Sequence, residues 1–131
     1  MEMHFYRCEI CGKIIAVISG DGIPTVCCGQ PMRELIPNMT DGASEKHVPV
    51  ITVKNFNVYV QVGSIPHPMT ESHLITWIGL KTNNGFCFRK LAPGDNPLVT
   101  FVLNPGDKPE AAYAYCNIHG LFCVKKEKCG D

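Results

Sequence analysis

The sequence predicts an all-β protein built as a small cysteine-stapled unit over residues 1–37, a linker over 38–44 and a seven-stranded β-sandwich over 45–131. Three observations predict it. No stretch carries a 3.6-residue apolar repeat, so helices are not expected. Short apolar runs alternate with Gly, Pro, Asn and Asp at short intervals, the punctuation of consecutive strands. Four of the eight cysteines, Cys8, Cys11, Cys27 and Cys28, fall in the first quarter of the chain.

Composition narrows the class. The 131 residues, 45% of them hydrophobic, exclude disorder and coiled coil. Twelve Lys and Arg balance twelve Asp and Glu, so no global field draws the chain to nucleic acid or to an anionic membrane, and neither is expected as a partner. The longest apolar run, Ala111 to Cys116, has six residues, against the ~20 that span a bilayer. The opening Met1-Glu2-Met3-His4-Phe5-Tyr6-Arg7 lacks the regions of a secretory leader, so the expected location is the cytoplasm. Thiols are kept reduced there, which favours metal ligation over a disulfide framework for eight cysteines.

The elements follow in order. The first unit is smaller than the ~40 residues at which domains usually cease to need a staple, and its four cysteines are that staple. Around them lie extended runs over Phe5 to Arg7, Lys13 to Ile18 and Thr25 to Cys27, with Gly20-Asp21-Gly22 as a turn. The polar stretch Pro37 to Ser44 reads as a linker. Seven strands then follow: Val48 to Lys54, Phe56 to Val62, His73 to Lys81, Phe86 to Leu91, Leu98 to Leu103, Ala111 to Cys116 and Leu121 to Lys126. Phe56, Val58, Val60 and Val62 alternate with Asn57, Tyr59 and Gln61, which buries one face. Asn84-Gly85, Pro93-Gly94-Asp95 and Asn104-Pro105-Gly106-Asp107 supply turns. Seven such strands in so short a span predict an immunoglobulin-like sandwich.

Two constellations carry chemistry. Cys8-Glu9-Ile10-Cys11 is a CxxC knuckle, and Cys27-Cys28 adds two adjacent thiols. Four sulfurs in a tetrahedron select zinc or iron, and spacing does not choose between a structural zinc and an iron centre. Adjacent ligands cannot approach as symmetrically as two CxxC knuckles, so a distorted tetrahedron is expected. In the second unit His47, His67, His73 and His119 stand at strand edges and turns, with Cys116 three residues before His119. Five donors exceed what structural zinc takes, whereas imidazoles with one thiolate suit iron and would leave one octahedral position open for chemistry. His4 reads as a surface residue, Trp77 as core, and Cys87, Cys123 and Cys129 as free thiols.

Cys8-Glu9-Ile10-Cys11, Cys27-Cys28, Glu45-Lys46-His47-Val48-Pro49-Val50, His67-Pro68-Met69-Thr70-Glu71-Ser72-His73 and Tyr115-Cys116-Asn117-Ile118-His119-Gly120 together resemble the desulfoferrodoxins, two-iron superoxide reductases. The likeness runs along essentially the whole chain, with a desulforedoxin-like first unit and a neelaredoxin-like second one. It implies two irons per chain. Cys8, Cys11, Cys27 and Cys28 would hold a rubredoxin-like iron. His47, His67, His73 and His119 would be equatorial ligands of the catalytic iron, and Cys116 its axial thiolate. Glu45 would occupy the sixth position in the resting ferric state, with Lys46 as the cation beside it. The implied reaction is one-electron reduction of superoxide to hydrogen peroxide without dioxygen release, with a donor such as rubredoxin and a homodimeric assembly. Two other readings of the residues remain: a rubredoxin-like electron carrier with an auxiliary iron site, and a zinc-stapled binding module.

Overall fold

The structure, a computed structural model, describes residues 3–20, 25–40, 47–63, 65 and 67–126. Among these residues there are strands and turns and no helix, hence none long and apolar enough to cross a membrane. The chain divides into two compact units, Met1–Ile36 and Pro37–Asp131.

In the first unit the strands are β1 (Phe5–Arg7), β2 (Ile14–Ala16), β3 (Val26–Cys27), β4 (Gln30–Pro31) and β5 (Arg33–Glu34). β1 lies between β2 and β5 in one antiparallel sheet, and β3 and β4 form a separate hairpin. β4 and β5 have two residues each, too few for any periodicity to announce them, and the sequence reading missed both. The Gly20-Asp21-Gly22 turn lies partly outside the described residues. Among the described residues of this unit the buried apolar side chains are Phe5, Cys8, Met32 and Leu35, a core too thin to hold so short a chain by itself.

The second unit contains β6 (Pro49–Lys54), β7 (Asn57–Val62), β8 (Ile75–Thr82), β9 (Phe86–Lys90), β10 (Leu98–Val102), β11 (Pro109–Cys116) and β12 (Gly120–Lys125). They form a three-stranded sheet in the order β10-β7-β6 and a four-stranded sheet in the order β12-β11-β8-β9. The two sheets make a β-sandwich. In the immunoglobulin constant type the fourth strand pairs beside the fifth; here β9 joins β8 instead. Val58, Val60, Val62, Ile75, Ile78, Leu80, Val99, Phe101, Ala112 and Ala114 fill the space between the sheets. Pro37 and the residues just after it, expected as linker, are attached to this unit: Asn38 N–H donates to Leu121 O, and Cys123 N–H to Asn38 O. Residues 41–44 lie outside the described residues.

Two expectations are corrected by the packing. Phe56 occupies the turn between β6 and β7, where Asn55 takes a positive φ of 58°, and it is 58% exposed although it shares the parity of Val58. Trp77 lies on the outer face of the four-stranded sheet, not in the core, stacked on Tyr115 at 6.2 Å. β8 is also not regular. Trp77 pairs with Tyr115 but Ile75 with Cys116, so Thr76 is an extra residue, a β-bulge. The bulge resets the alternation, and Ile75 and Ile78 therefore both reach the core despite their odd spacing.

Candidate metal centres

In the first unit the CxxC knuckle is a tight turn. Gly12 N–H donates to Cys8 O at 2.8 Å and Cys8 N–H to Lys13 O at 2.9 Å, which brings the Cys11 amide to 3.4 Å from the Cys8 sulfur. Cys27 ends β3, while Cys28 and Gly29 form the two-residue β3–β4 turn with positive φ of 53° and 78°. Positive φ at both positions is the type I′ pattern. Cys28 is thus one of two non-glycine residues with positive φ among those described, and that conformation is how neighbouring cysteines reach one site.

The four sulfurs lie within 4.8 Å of one another, with Cys11 Sγ to Cys27 Sγ at 3.8 Å and Cys27 Sγ to Cys28 Sγ at 4.0 Å. A tetrahedron with metal–sulfur bonds of about 2.3 Å has edges of about 3.8 Å, so the set fits one ion. The Cys8 thiol is lowered to about 6, chiefly by the Cys11 amide donating to its sulfur. Cys28 is pushed up to about 12, first by its hydrogen bond with Cys8 and then by those with Cys11 and Cys27. The Cys8 thiolate forms readily, while Cys27 and Cys28 resist ionisation; a bound cation removes that conflict. Outside the cluster, Glu9 accepts from Arg7 Nη1 at 2.6 Å and from Arg33 Nε at 2.9 Å, and the Arg7 bond above all lowers its carboxyl.

The second centre is assembled by topology. His47 precedes β6, His67 follows β7, His73 precedes β8, Cys116 ends β11, and His119 lies in the β11–β12 turn. β6 pairs antiparallel with β7, and β11 with β8 and β12, so all five positions fall at one end of the sandwich. His47, His67, His73 and Cys116 bring donor atoms within 4.8 Å of one another. Two nitrogens on opposite sides of one ion, at bonds of about 2.1 Å, stand about 4.2 Å apart, so this set also fits. His119 stands beside them, its ring 4.7 Å from His47 and 5.3 Å from His73, with Nδ1 3.7 Å from Cys116 Sγ. Imidazoles with a thiolate suit iron, as do four thiolates.

Surrounding groups hold these side chains. Pro68 O lies 2.7 Å from His67 Nδ1, and since a carbonyl only accepts, Nδ1 carries the proton and Nε2 the free lone pair. The Phe122 ring stacks on His47 at 4.6 Å. Thr70 and His73 close a turn in which His73 N–H donates to Thr70 Oγ1 at 3.1 Å, and Asn117 joins that turn to the end of β11. The sequence reading passed over Phe122, Thr70 and Asn117; a Thr three residues before a histidine and an Asn directly after a cysteine were the available signals. His47, His67 and Cys116 are buried, His73 is half-buried and His119 is exposed.

Other expected residues fall as follows. Glu45, Lys46 and Cys129 lie outside the described residues. Cys87 is exposed on β9, and Cys123 is buried on β12. His4 is on the surface, with Nδ1 2.8 Å from Glu34 Oε2.

Comparison with known proteins agrees with this anatomy. Residues 39–125 match the family described as Desulfoferrodoxin, and residues 1–35 match the Desulfoferrodoxin N-terminal domain. A desulfoferrodoxin of Syntrophotalea carbinolica is 46% identical over 121 residues, covering 92% of this chain and 94% of that one. A desulfoferrodoxin homolog of Archaeoglobus fulgidus is 44% identical over 120 residues, covering 92% and 94%. The crystal structure of the superoxide reductase from Treponema pallidum superposes with a TM-score of 0.84 at 33% identity, over 95% of this chain and 98% of that one. With both of its units matched and its length shared almost end to end with these relatives, the chain belongs to the desulfoferrodoxin family.

Proposed function

We propose that this chain is a superoxide reductase, converting superoxide to hydrogen peroxide at the histidine–cysteine centre without releasing dioxygen. The observation that carries the reading is the one-sided burial of that centre: Cys116 is fully buried in the sandwich, while His73 is half-buried and His119 is exposed. A pure electron carrier gains nothing from a site open to a small molecule.

Iron bound by His47, His67, His73, His119 and Cys116 supplies, when ferrous, the one electron the reaction needs. The chain's own residues do the rest. Superoxide is an anion and the formal net charge is zero, so attraction must be local, and Lys46, next to His47 in sequence, provides it. The same ammonium can give up one of the two protons that hydrogen peroxide requires, and water supplies the other. His67 keeps its ring orientation through Pro68, so its ligating nitrogen need not reorganise. Glu45 closes the oxidised site between turnovers. Cys8, Cys11, Cys27 and Cys28 would hold the second iron, which would supply a one-electron relay from an external donor such as rubredoxin; Cys11 and Cys28 are exposed. We further assign a homodimer working in the cytoplasm, divided into units at 1–37 and 45–131.

The test is metal analysis of anaerobically purified protein, followed by reaction of the reduced form with superoxide. Two irons per chain, and peroxide formed in step with superoxide consumed and no dioxygen, are the expected results. Dioxygen release would make it a dismutase, and one zinc without iron would leave a stapled binding module.

A further inference from the structure

Asn117 is the residue directly after Cys116, and three hydrogen bonds join it to the two residues that flank His73. Its backbone N–H donates to Leu74 O at 3.2 Å. Its Oδ1 accepts from Leu74 N–H at 3.0 Å, and its Nδ2 donates to Ser72 O at 3.0 Å. The amide orientation is fixed by its partners, because an N–H can face only Oδ1 and a carbonyl only Nδ2.

These bonds occur where the sheet ends. The β8–β11 ladder already shifts register between Tyr115 and Cys116. One step further, Leu74 still has both backbone groups satisfied by residue 117, but only one bond comes from that residue's backbone. The other comes from its side chain, which replaces its own carbonyl as acceptor. The main chain is thereby released from the sheet to turn toward His119, while the segment carrying His73 stays tied to the end of β11. Thr70 closes the same segment from its other side, with its N–H donating to His73 O at 2.9 Å. Asp lacks the donor for Ser72 O, and Gln is one methylene too long to reproduce both bonds.

We propose that Asn117 is a positioning residue that sets the spacing of His73 and Cys116 before metal arrives. The proposal rests on the reading of these two side chains as ligands of one iron. Outer groups that orient ligands change metal affinity by roughly 10- to 100-fold when removed.

The experiment is chelator competition for ferrous iron on the full chain carrying iron at both centres, comparing the parent with Asn117→Ala and Asn117→Asp. The four-cysteine centre is the internal reference. Asn117→Ala is expected to lose iron from the histidine centre roughly 10- to 100-fold more readily. Its thiolate-to-iron absorption band in the oxidised protein should move, while the four-cysteine spectrum and the melting of the metal-free protein stay near parental. Asn117→Asp keeps the acceptor for Leu74 N–H and loses the donor to Ser72 O, so a smaller loss in the same direction is expected; it decides the matter if the alanine variant does not fold. Parental iron retention and an unmoved band in the folded variants overturn the positioning role alone. A parent that holds iron only at the four-cysteine centre overturns the superoxide reductase reading and this proposal together.

Discussion

His67 shows how much one contact decides. A lone histidine on a loop has two tautomers, and the Pro68 carbonyl 2.7 Å from Nδ1 selects the one whose Nε2 can bind a metal. The residue types of both centres were legible because a CxxC knuckle, a Cys-Cys pair and a CxxH stretch have few other uses at these spacings. The exposure of His119 was not: it lies at the surface, with its Nδ1 3.7 Å from the Cys116 sulfur. Lys46 gives the clearest residue-scale prediction. Lys46→Ala is expected to slow capture of superoxide by the reduced protein roughly tenfold and to flatten the dependence of that rate on ionic strength, because the remaining charge balance offers no substitute field. Rapid-mixing kinetics across a salt series checks it, and unchanged rates would remove Lys46 from the mechanism.

At the scale of elements, alternation located most strands to within two residues, most plainly in β7 and β10, whose faces are buried and open in turn, but it could not see the bulge in β8. The bulge depends on how β8 and β11 meet at Cys116, which no local pattern encodes. The outer face of this sheet holds a second such feature. The Phe86 ring lies directly over Gly79 and edge-on to Tyr113 at 6.1 Å, and a Cβ at position 79 would overlap that ring. Gly79→Ala is therefore expected to cost about 1–3 kcal/mol in urea unfolding, with most of it recovered when Phe86→Leu is added. The turn before β11 offers a pH test. Asp107 accepts from Asn84 Nδ2 and from Asn104 N–H, and the Asn84 bond foremost lowers its carboxyl below the ordinary 3.8. A lowered folded value means stability that is complete above 3.8 and lost as pH falls through the lowered value. Urea midpoints measured down an acid series should show the parent's advantage over Asp107→Asn shrinking below that point; an advantage that grew with acid would contradict it.

For the whole molecule, the two units differ in what holds them. The sandwich has a continuous core from four strands, β7, β8, β10 and β11, whereas the described residues of the first unit bury only Phe5, Cys8, Met32 and Leu35 as apolar side chains. Metal binding in so small a unit is folding free energy. Stripping metal with a chelator under reducing conditions is thus expected to expose residues 1–36 to limited proteolysis while leaving a resistant fragment from about residue 37 onward. Equal digestion of both parts would show that the sandwich, too, depends on its metal.

The sequence by itself determined the all-β class, the four-cysteine cluster of the first centre and the three histidines and one cysteine that gather in the second, because period-two patterning and ligand chemistry are written in residue types. Only the tertiary structure decided how those ligands meet. Antiparallel pairing brings the start of β6, the end of β7, the start of β8 and the end of β11 to one end of the sandwich. The bulge at Thr76 and the bonds of Asn117 then set which way His73 faces Cys116. These are contacts between segments about 40 residues apart, and their geometry comes from strand register, which exists only once the sheets have formed.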